Sequence, residues 1–167
     1  MITNCFYFVF VAFTKNDGVC NMIGQMNFAT ALAPLDHSIM SDFTGNLDRI
    51  NALAEASSGF VWRLKDDSGN ATSIKIMTDP KAILNVSVWQ TVADLHKFAY
   101  HTDHKSFVAR RDEWFVPTTR RSMALWSIGD NEPMPTAEEA FERLRYLEAH
   151  GPSPYAFDWA SAKQFVS

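Results

Sequence analysis

The segment at residues 83–89, ILNVSVW, constrains the fold of this 167-residue chain more than any other. Aliphatic side chains alternate strictly with other residues here, a pattern that predicts a strand with two different faces. Successive side chains of a strand point to opposite faces of the sheet. One face therefore carries Leu84, Val86 and Val88, and the other carries Asn85, Ser87 and Trp89. We expect helices to cover the aliphatic face and to leave the polar face uncovered.

The same reading extends along the chain and predicts four strands and several helices. Strands are expected at residues 23–30, 60–64, 83–89 and 123–128, and residues 72–77 are compatible with a hairpin arm. Helices are expected at residues 39–56, 91–101, 103–114 and 136–150. The order is β-α-β-β-α-β followed by an extra helix. It predicts an α+β, ferredoxin-like fold with a four-stranded antiparallel sheet and a C-terminal helix.

Three sequence signals mark the ends of these helices. Asp36 or Ser38 is expected to cap the first helix, and Gly59 is well placed to end it in a left-handed conformation. Thr136 followed by Glu139 fits a capping box at the start of the last helix.

Composition excludes several classes of function. A net charge of −4 argues against a protein that binds nucleic acid by neutralising phosphates. No apolar run reaches the ~18 residues of a membrane-spanning helix. The two cysteines exclude a disulfide-stapled scaffold. We therefore predict a cytoplasmic protein with neither nucleic-acid nor membrane partners.

The chain divides into three parts on composition. Residues 1–21 are an N-terminal extension that is an added edge strand, a mobile tail or not part of the native protein. The apolar run at residues 5–13 lacks the preceding basic residues of a signal peptide. Residues 22–157 are predicted to form the single domain, and residues 158–167 a C-terminal tail.

A strip of polar and aromatic residues is predicted on the uncovered face of the sheet. It consists of Asn27, Asn85, Ser87 and Trp89, with Arg63 or Trp62 depending on register. Half-buried amides and hydroxyls cost about 1–3 kcal/mol each unless they are partnered. A ligand or a second subunit would supply those partners. The alternative is that these residues bond one another inside an ordinary core.

Histidines and basic residues supply the candidates for chemistry. His104 is the best candidate for a general acid or base, because imidazole titrates near neutral pH. His101 lies three residues earlier, but no third ligand has a familiar spacing, so we predict no metal site. Trp114 is predicted to form part of a pocket wall. The pairs at residues 110–111 and 120–121 form a solvated basic patch that could steer an anion.

Six blocks of sequence carry a family resemblance. They are QMNFATALAPLD at 25–36, NLDRINALAEASSGFVWRL at 46–64, NVSVW at 85–89, YHTDH at 100–104, ARRDEWF at 109–115 and ERLRYLEAHGPSPYAF at 142–157. Over these blocks the chain resembles a bacterial family known as domain of unknown function 3291. The resemblance implies membership of the dimeric α/β-barrel superfamily, similar to antibiotic-biosynthesis monooxygenases. It therefore also implies a ferredoxin-like protomer whose open sheet faces pair in a homodimer.

The first functional hypothesis is a monooxygenase-like enzyme without a cofactor. A hydrophobic or aromatic substrate would lie against Trp62 and Trp89 in a pocket on the open sheet face. Asn27, Asn85 and Arg63 would orient its oxygens. Arg63 would also stabilise an enolate or phenolate, and His104 would move the proton. Ser87 and Trp114 complete the set of substrate-binding candidates.

Two alternatives remain open at this level. One is a non-catalytic, dimeric binder or sensor of a hydrophobic small molecule. The other is a haem protein with His104 or His101 as the axial ligand.

Overall fold

A computed structural model of the protein describes residues 21–72 and 79–166. Four antiparallel strands form one sheet in the order β2-β3-β1-β4. They are β1 (Met22–Thr30), β2 (Phe60–Arg63), β3 (Ala82–Trp89) and β4 (Met123–Ile128). The predicted mixed α+β architecture with a four-stranded antiparallel sheet is confirmed. The predictions for residues 1–20, for most of the hairpin arm at 72–77 and for Ser167 lie outside the described residues.

Five α-helices accompany the sheet in the described part of the chain. They are α1 (Ser41–Gly45), α2 (Leu47–Glu55), α3 (Val92–His101), α4 (His104–Ala109) and α5 (Ala137–His150). Short 3₁₀ turns occupy Ser38–Met40, Arg111–Glu113 and Ala162–Gln164.

The single helix predicted for residues 39–56 is two helices that meet at Asn46. The Asn46 side chain donates hydrogen bonds to the backbone oxygen of Asp42 at 2.8 Å and to its carboxylate at 3.1 Å. Such local side-chain bonding competes with continuous helix. The N-terminal cap was also predicted at the wrong residue, because it is His37 whose Nδ1 accepts from the Ile39 N–H at 3.2 Å.

The predicted cap of α5 is confirmed, because Thr136 Oγ1 accepts from the Glu139 N–H at 3.1 Å. The second half of the predicted capping box does not form, because the Glu139 carboxylate accepts from Arg143 instead of from the Thr136 N–H. Gly151 directly follows α5 and has a φ of 79°, a conformation that glycine adopts at little cost, so α5 stops there. Gly59 also has the predicted positive φ, 76°, but α2 already ends at Glu55, and Gly59 lies in the turn that leads into β2.

Strand register decides which side chains share the polar face. Gln25 pairs with Ser87, and Asn27 pairs with Asn85. An irregularity in β2 places Arg63 opposite Ser87, whereas Trp62 lies opposite Val88 on the aliphatic face. Arg63 is therefore the residue of β2 that joins the polar strip.

The aliphatic face of the sheet is covered by α5. Leu144 and Leu147 of this helix are buried in one core cluster with Met26, Val86 and Trp126. Gly24 makes room for the Trp126 indole, because a Cβ at Gly24 would lie 2.2 Å from Trp126 Cε2. The C-terminal helix thus supplies the apolar cover for this face.

The polar face lies beneath α2, α3 and the C-terminal segment, and our prediction of an uncovered polar face was wrong. Ala54 of α2 and Leu95 of α3 pack with Trp89 and Leu125 in a second buried cluster. Phe157 exchanges two backbone hydrogen bonds of 2.8 Å with Leu125. Because α5 already takes the aliphatic face, the helices that connect the strands cover the other one. Both faces of the sheet are covered.

Across the ranges that the structure describes, no helix has the length and apolar character required to cross a bilayer.

Candidate functional site

A cavity of about 350 Å³ lies between the polar face of the sheet and helices α1 to α4. This volume is at the lower end of the range found for small-molecule sites. Many of its lining side chains are aromatic, and they include Phe43, Phe60, Trp89, Phe98, Phe107 and Trp114. The amides and hydroxyl of the polar strip line its floor.

Seven of the eight predicted site residues line this cavity. They are Asn27, Arg63, Asn85, Ser87, Trp89, His104 and Trp114. The eighth, Trp62, lies on the opposite face of the sheet and packs against the aliphatic core. The structure therefore brings together residues from β1, β2, β3, α4 and the turn after it, but leaves Trp62 outside the group.

A chain of hydrogen bonds runs along the polar strip. Trp89 Nε1 donates to Ser87 Oγ at 2.9 Å, and Ser87 Oγ donates to Gln25 Oε1 at 2.8 Å. Gln25 Nε2 then donates to Asn27 Oδ1 at 2.9 Å. The alternative considered above, in which these residues bond one another, holds for this part of the strip. Gln25 was not among the site residues predicted from the sequence.

Asn27 and Asn85 differ from the buried part of the strip. They are paired across the two central strands, yet both side chains are exposed. Ser87 and Gln25, which form the next cross-strand pair on the same face, are buried. No described residue hydrogen-bonds the Asn85 side chain. The floor of the cavity therefore presents two neighbouring amides.

Three rings stack along one wall of the cavity. The Trp89 and Phe98 centroids are 5.1 Å apart, and Phe98 and His104 are 4.7 Å apart, with interplanar angles of 25° and 27°. Phe60 meets Trp89 edge-on at 5.3 Å. Flat, apolar walls of this kind suit a planar hydrophobic ligand.

His104 is held as a neutral imidazole. Its Nδ1 lies 3.3 Å from the Ala99 carbonyl oxygen, which can only accept, so Nδ1 carries the hydrogen in this contact. The lone pair of the neutral ring is then on Nε2. Burial lowers the pKa of His104, and the contact with the Ala99 carbonyl offsets this only in part. The ring is therefore neutral near neutral pH and has an unprotonated Nε2, although it is a weaker base than an exposed imidazole.

The positive charge of Arg63 is compensated by groups of the protein itself. Its Nε donates to Glu55 Oε1 at 2.9 Å, and Nη1 donates to the Gly69 carbonyl at 2.8 Å. The Arg63 side chain is only 12% exposed. These contacts fix the guanidinium beside the cavity and leave Nη2 without a bond to any described residue.

Arg111 is a second cation in the cavity lining that sequence reasoning treated only as part of a basic patch. Its Nε is 4.0 Å from the Asp112 carboxylate, too long for a hydrogen bond. The neighbouring Arg110 is tightly held, with Glu113 and Asp42 accepting from it and its guanidinium 4.8 Å above the Trp114 ring. The hydrogen bonds to Glu113 and then Asp42 raise the pKa of Arg110. Arg111 is thus the less compensated of the pair.

The described residues contain no cluster of three or more His, Cys, Asp or Glu side chains suited to a metal ion. His101, the other candidate haem ligand, is exposed and has its ring 5.6 Å from that of His96. His104 offers a single lone pair, on Nε2, beside Phe98. A haem protein stays a prediction.

The fold and the site define an α+β protein with an aromatic cavity beneath its sheet. Residues 22–166 match the family described as domain of unknown function DUF3291, and the chain belongs to this family. No curated protein matches the chain. Among solved structures, the NE2512 protein of unknown function from Nitrosomonas europaea is similar at 13% identity and a TM-score of 0.42. That similarity covers 72% of this chain and 99% of the other.

Proposed function

We propose that this protein binds a planar, hydrophobic small molecule carrying an oxygen in the cavity, and that it removes a proton from this molecule. The observation that carries the proposal is the composition of the cavity: aromatic walls, a floor of amides and a neutral histidine in one lining. A core without a ligand would favour aliphatic residues at these central strand positions.

Binding follows from the apolar wall and the exposed amides. Burying apolar ligand surface against the stack of Trp89, Phe98 and His104 contributes roughly 25 cal/mol per Å². Asn27 and Asn85 gain partners for side chains that sit in the middle of the sheet. The amides orient the ligand, and the aromatic rings supply the affinity.

Proton removal follows from the state of His104. The proton leaves a hydroxyl or an acidic carbon of the ligand and goes to His104 Nε2, and the electron pair stays on the ligand as an enolate or phenolate. Arg111 is the cation best able to offset that negative charge. Because Glu55 already neutralises Arg63, we assign Arg63 mainly to holding the cavity wall.

The finer form of the proposal is a monooxygenase-like enzyme. A deprotonated aromatic ligand is electron-rich enough to react with dioxygen, which the solvent would supply as the co-reactant. This form rests on the predicted relation to the antibiotic-biosynthesis monooxygenases and on a ferredoxin-like protomer. The strand order β2-β3-β1-β4 supports that protomer.

A titration with 2-naphthol tests the proposal. We expect saturable quenching of tryptophan fluorescence with one site per chain. Ala29→Phe, which fills the cavity from β1, should abolish it, whereas Ala149→Phe on the exposed side of α5 should not. His104→Gln should reduce the fraction of bound naphtholate, seen in its absorbance. Binding that survives Ala29→Phe would contradict the proposed site.

A non-catalytic binder is the second candidate. The bonds among Trp89, Ser87 and Gln25, and the neutralised Arg63, favour it, because they occupy groups that catalysis would use. Binding of 2-naphthol only in its neutral form, unchanged by His104→Gln, would support this candidate over the enzyme.

We also propose a homodimer, as the family resemblance implies. Because α5 and the connecting helices cover both faces of the sheet, the contact would have to use edge strands or outer helix surfaces. Sedimentation analysis of the full chain at micromolar concentration tests it: a dimer mass is expected, and a monomer at all concentrations would contradict it.

A further inference from the structure

The hydrogen-bond chain on the cavity floor runs in one direction, from Trp89 to Asn27. An indole N–H can donate but not accept, so Ser87 Oγ accepts a hydrogen bond from Trp89 Nε1. The Ser87 hydroxyl in turn donates to Gln25 Oε1 at 2.8 Å. With its oxygen used, Gln25 turns its NH₂ group toward Asn27 Oδ1 at 2.9 Å.

This direction determines what Asn27 presents to the cavity. Its oxygen is already an acceptor for Gln25, so the group left over is Nδ2 with its two hydrogens. No described residue accepts a hydrogen bond from Asn27 Nδ2, and the side chain is exposed in the cavity lining. An isolated asparagine could rotate to offer either its oxygen or its nitrogen. Here the relay through Gln25 and Ser87 holds one orientation.

We propose that the site selects ligands with a carbonyl or anionic oxygen, which Asn27 Nδ2 binds, and that Gln25, Ser87 and Trp89 are positioning residues for this donor. Asn85, the cross-strand partner of Asn27, supplies a second amide at the same place. The inference rests on the proposed function, since it specifies the ligand class for the same cavity. A ligand that offers only donors, or no polar atom, leaves Asn27 Nδ2 unsatisfied.

Two probes of matched shape test this selection. 2-Naphthaldehyde has an acceptor oxygen where 2-methylnaphthalene has a methyl group, and both are small, flat and apolar elsewhere. We expect the wild-type protein to bind the aldehyde about tenfold more tightly, which is the net value of one hydrogen bond. Tryptophan fluorescence gives both dissociation constants.

Asn27→Asp replaces the Nδ2 hydrogen-bond donor with a carboxylate oxygen, which is an acceptor, and keeps the hydrogen bond from Gln25. A carboxylate oxygen still accepts from Gln25 Nε2, but the cavity now meets a second acceptor. We expect the aldehyde preference to disappear, with the constant for 2-methylnaphthalene changed by no more than about twofold. Asn131→Asp, which adds the same charge on an exposed loop, is the matched control and should keep the wild-type preference.

Ser87→Ala tests the relay without touching the donor itself. Gln25 and Asn27 then lose the constraint on their amides, and the aldehyde preference should fall by roughly three- to tenfold. Ser87→Thr, which keeps the hydroxyl, should restore it. If either variant fails to fold, Trp89→Phe removes the N–H that starts the relay and retains a ring for the stack.

The outcomes separate the two proposals. Equal wild-type affinity for both probes, or an Asn27→Asp variant that keeps the preference, overturns this inference and leaves the binding cavity intact. An unchanged preference in both Ser87→Ala and Trp89→Phe overturns the positioning role of the relay. Absence of saturable binding for both probes overturns the proposed function together with the inference.

Discussion

At the scale of single residues, His104 couples the charge of the cavity to the stability of the fold. Burial lowers its pKa in the folded state, whereas in the unfolded chain it titrates near its ordinary value of about 6.5. The folded state therefore binds this proton less readily. The stability that neutral His104 contributes is fully present above about pH 6.5, and it is lost as the pH falls toward the lowered pKa.

We expect this loss to appear in urea unfolding measured from about pH 7 down to pH 5. The free energy of unfolding should fall with pH in the wild type and fall less steeply in His104→Gln. His150→Gln, at an exposed position on α5, is the control and should keep the wild-type slope. Equal slopes for His104→Gln and the wild type would refute a buried neutral imidazole.

Gly24 supplies a second prediction at this scale. Gly24→Ala places a Cβ against the Trp126 ring, with 2.2 Å to Cε2, in a core where neither strand nor ring can move freely. We expect a loss of about 1–3 kcal/mol in the free energy of unfolding. Gly45→Ala meets no atom within 4 Å and serves as control; in a helix it should be neutral or stabilising by up to about 1 kcal/mol. Similar effects from both changes would argue against this packing.

Individual residues also show what the sequence can and cannot specify. Alternation was enough to place Asn85, Ser87 and Trp89 together on one face, because side-chain direction in a strand is a local property. The irregularity in β2 was not visible, so Trp62 and Arg63 could not be told apart. Gln25 joined the relay through its pairing with Ser87, which depends on register between distant strands.

At the scale of elements, α5 decides which face of the sheet becomes the site. Its boundaries follow from Thr136 and Gly151, and Ala140, Leu144 and Leu147 form an apolar stripe at helical spacing. Where that stripe packs is a tertiary question that periodicity does not answer. Since α5 takes the aliphatic face, α2 to α4 come to lie over the polar strip and create the cavity.

The apolar stripe of α5 predicts that this helix contributes to the stability of the fold through its buried side chains. Leu147→Ala removes a fully buried side chain from the core shared with Met26 and Trp126, and we expect a loss of about 2–5 kcal/mol. Arg145→Ala on the exposed side of the same helix should change stability by no more than about 0.5 kcal/mol. Chemical denaturation measures both. A small effect at Leu147 would mean that α5 does not hold this face.

At the scale of the whole molecule, the two faces of the sheet differ, because α5 covers one of them and the helices that connect the strands cover the other. One face, packed against α5, is a continuous apolar core. The other combines a buried hydrogen-bond relay, a stack of aromatic rings and exposed amides under α1 to α4. The apolar core on the first face, with the smaller cluster around Trp89 and Leu125 on the second, helps to offset the cost of burying the polar groups.

A crystal structure of the protein soaked with 2-naphthol is the most direct test that the cavity on the polar face of the sheet is the binding site. We expect the naphthol ring beneath α2 to α4, against Trp89 and Phe98, with its oxygen within hydrogen-bond distance of Asn27 or His104. Naphthol seated only elsewhere, for instance in the outer groove beside Tyr146 and Tyr155 of the α5 region, would contradict the proposed site.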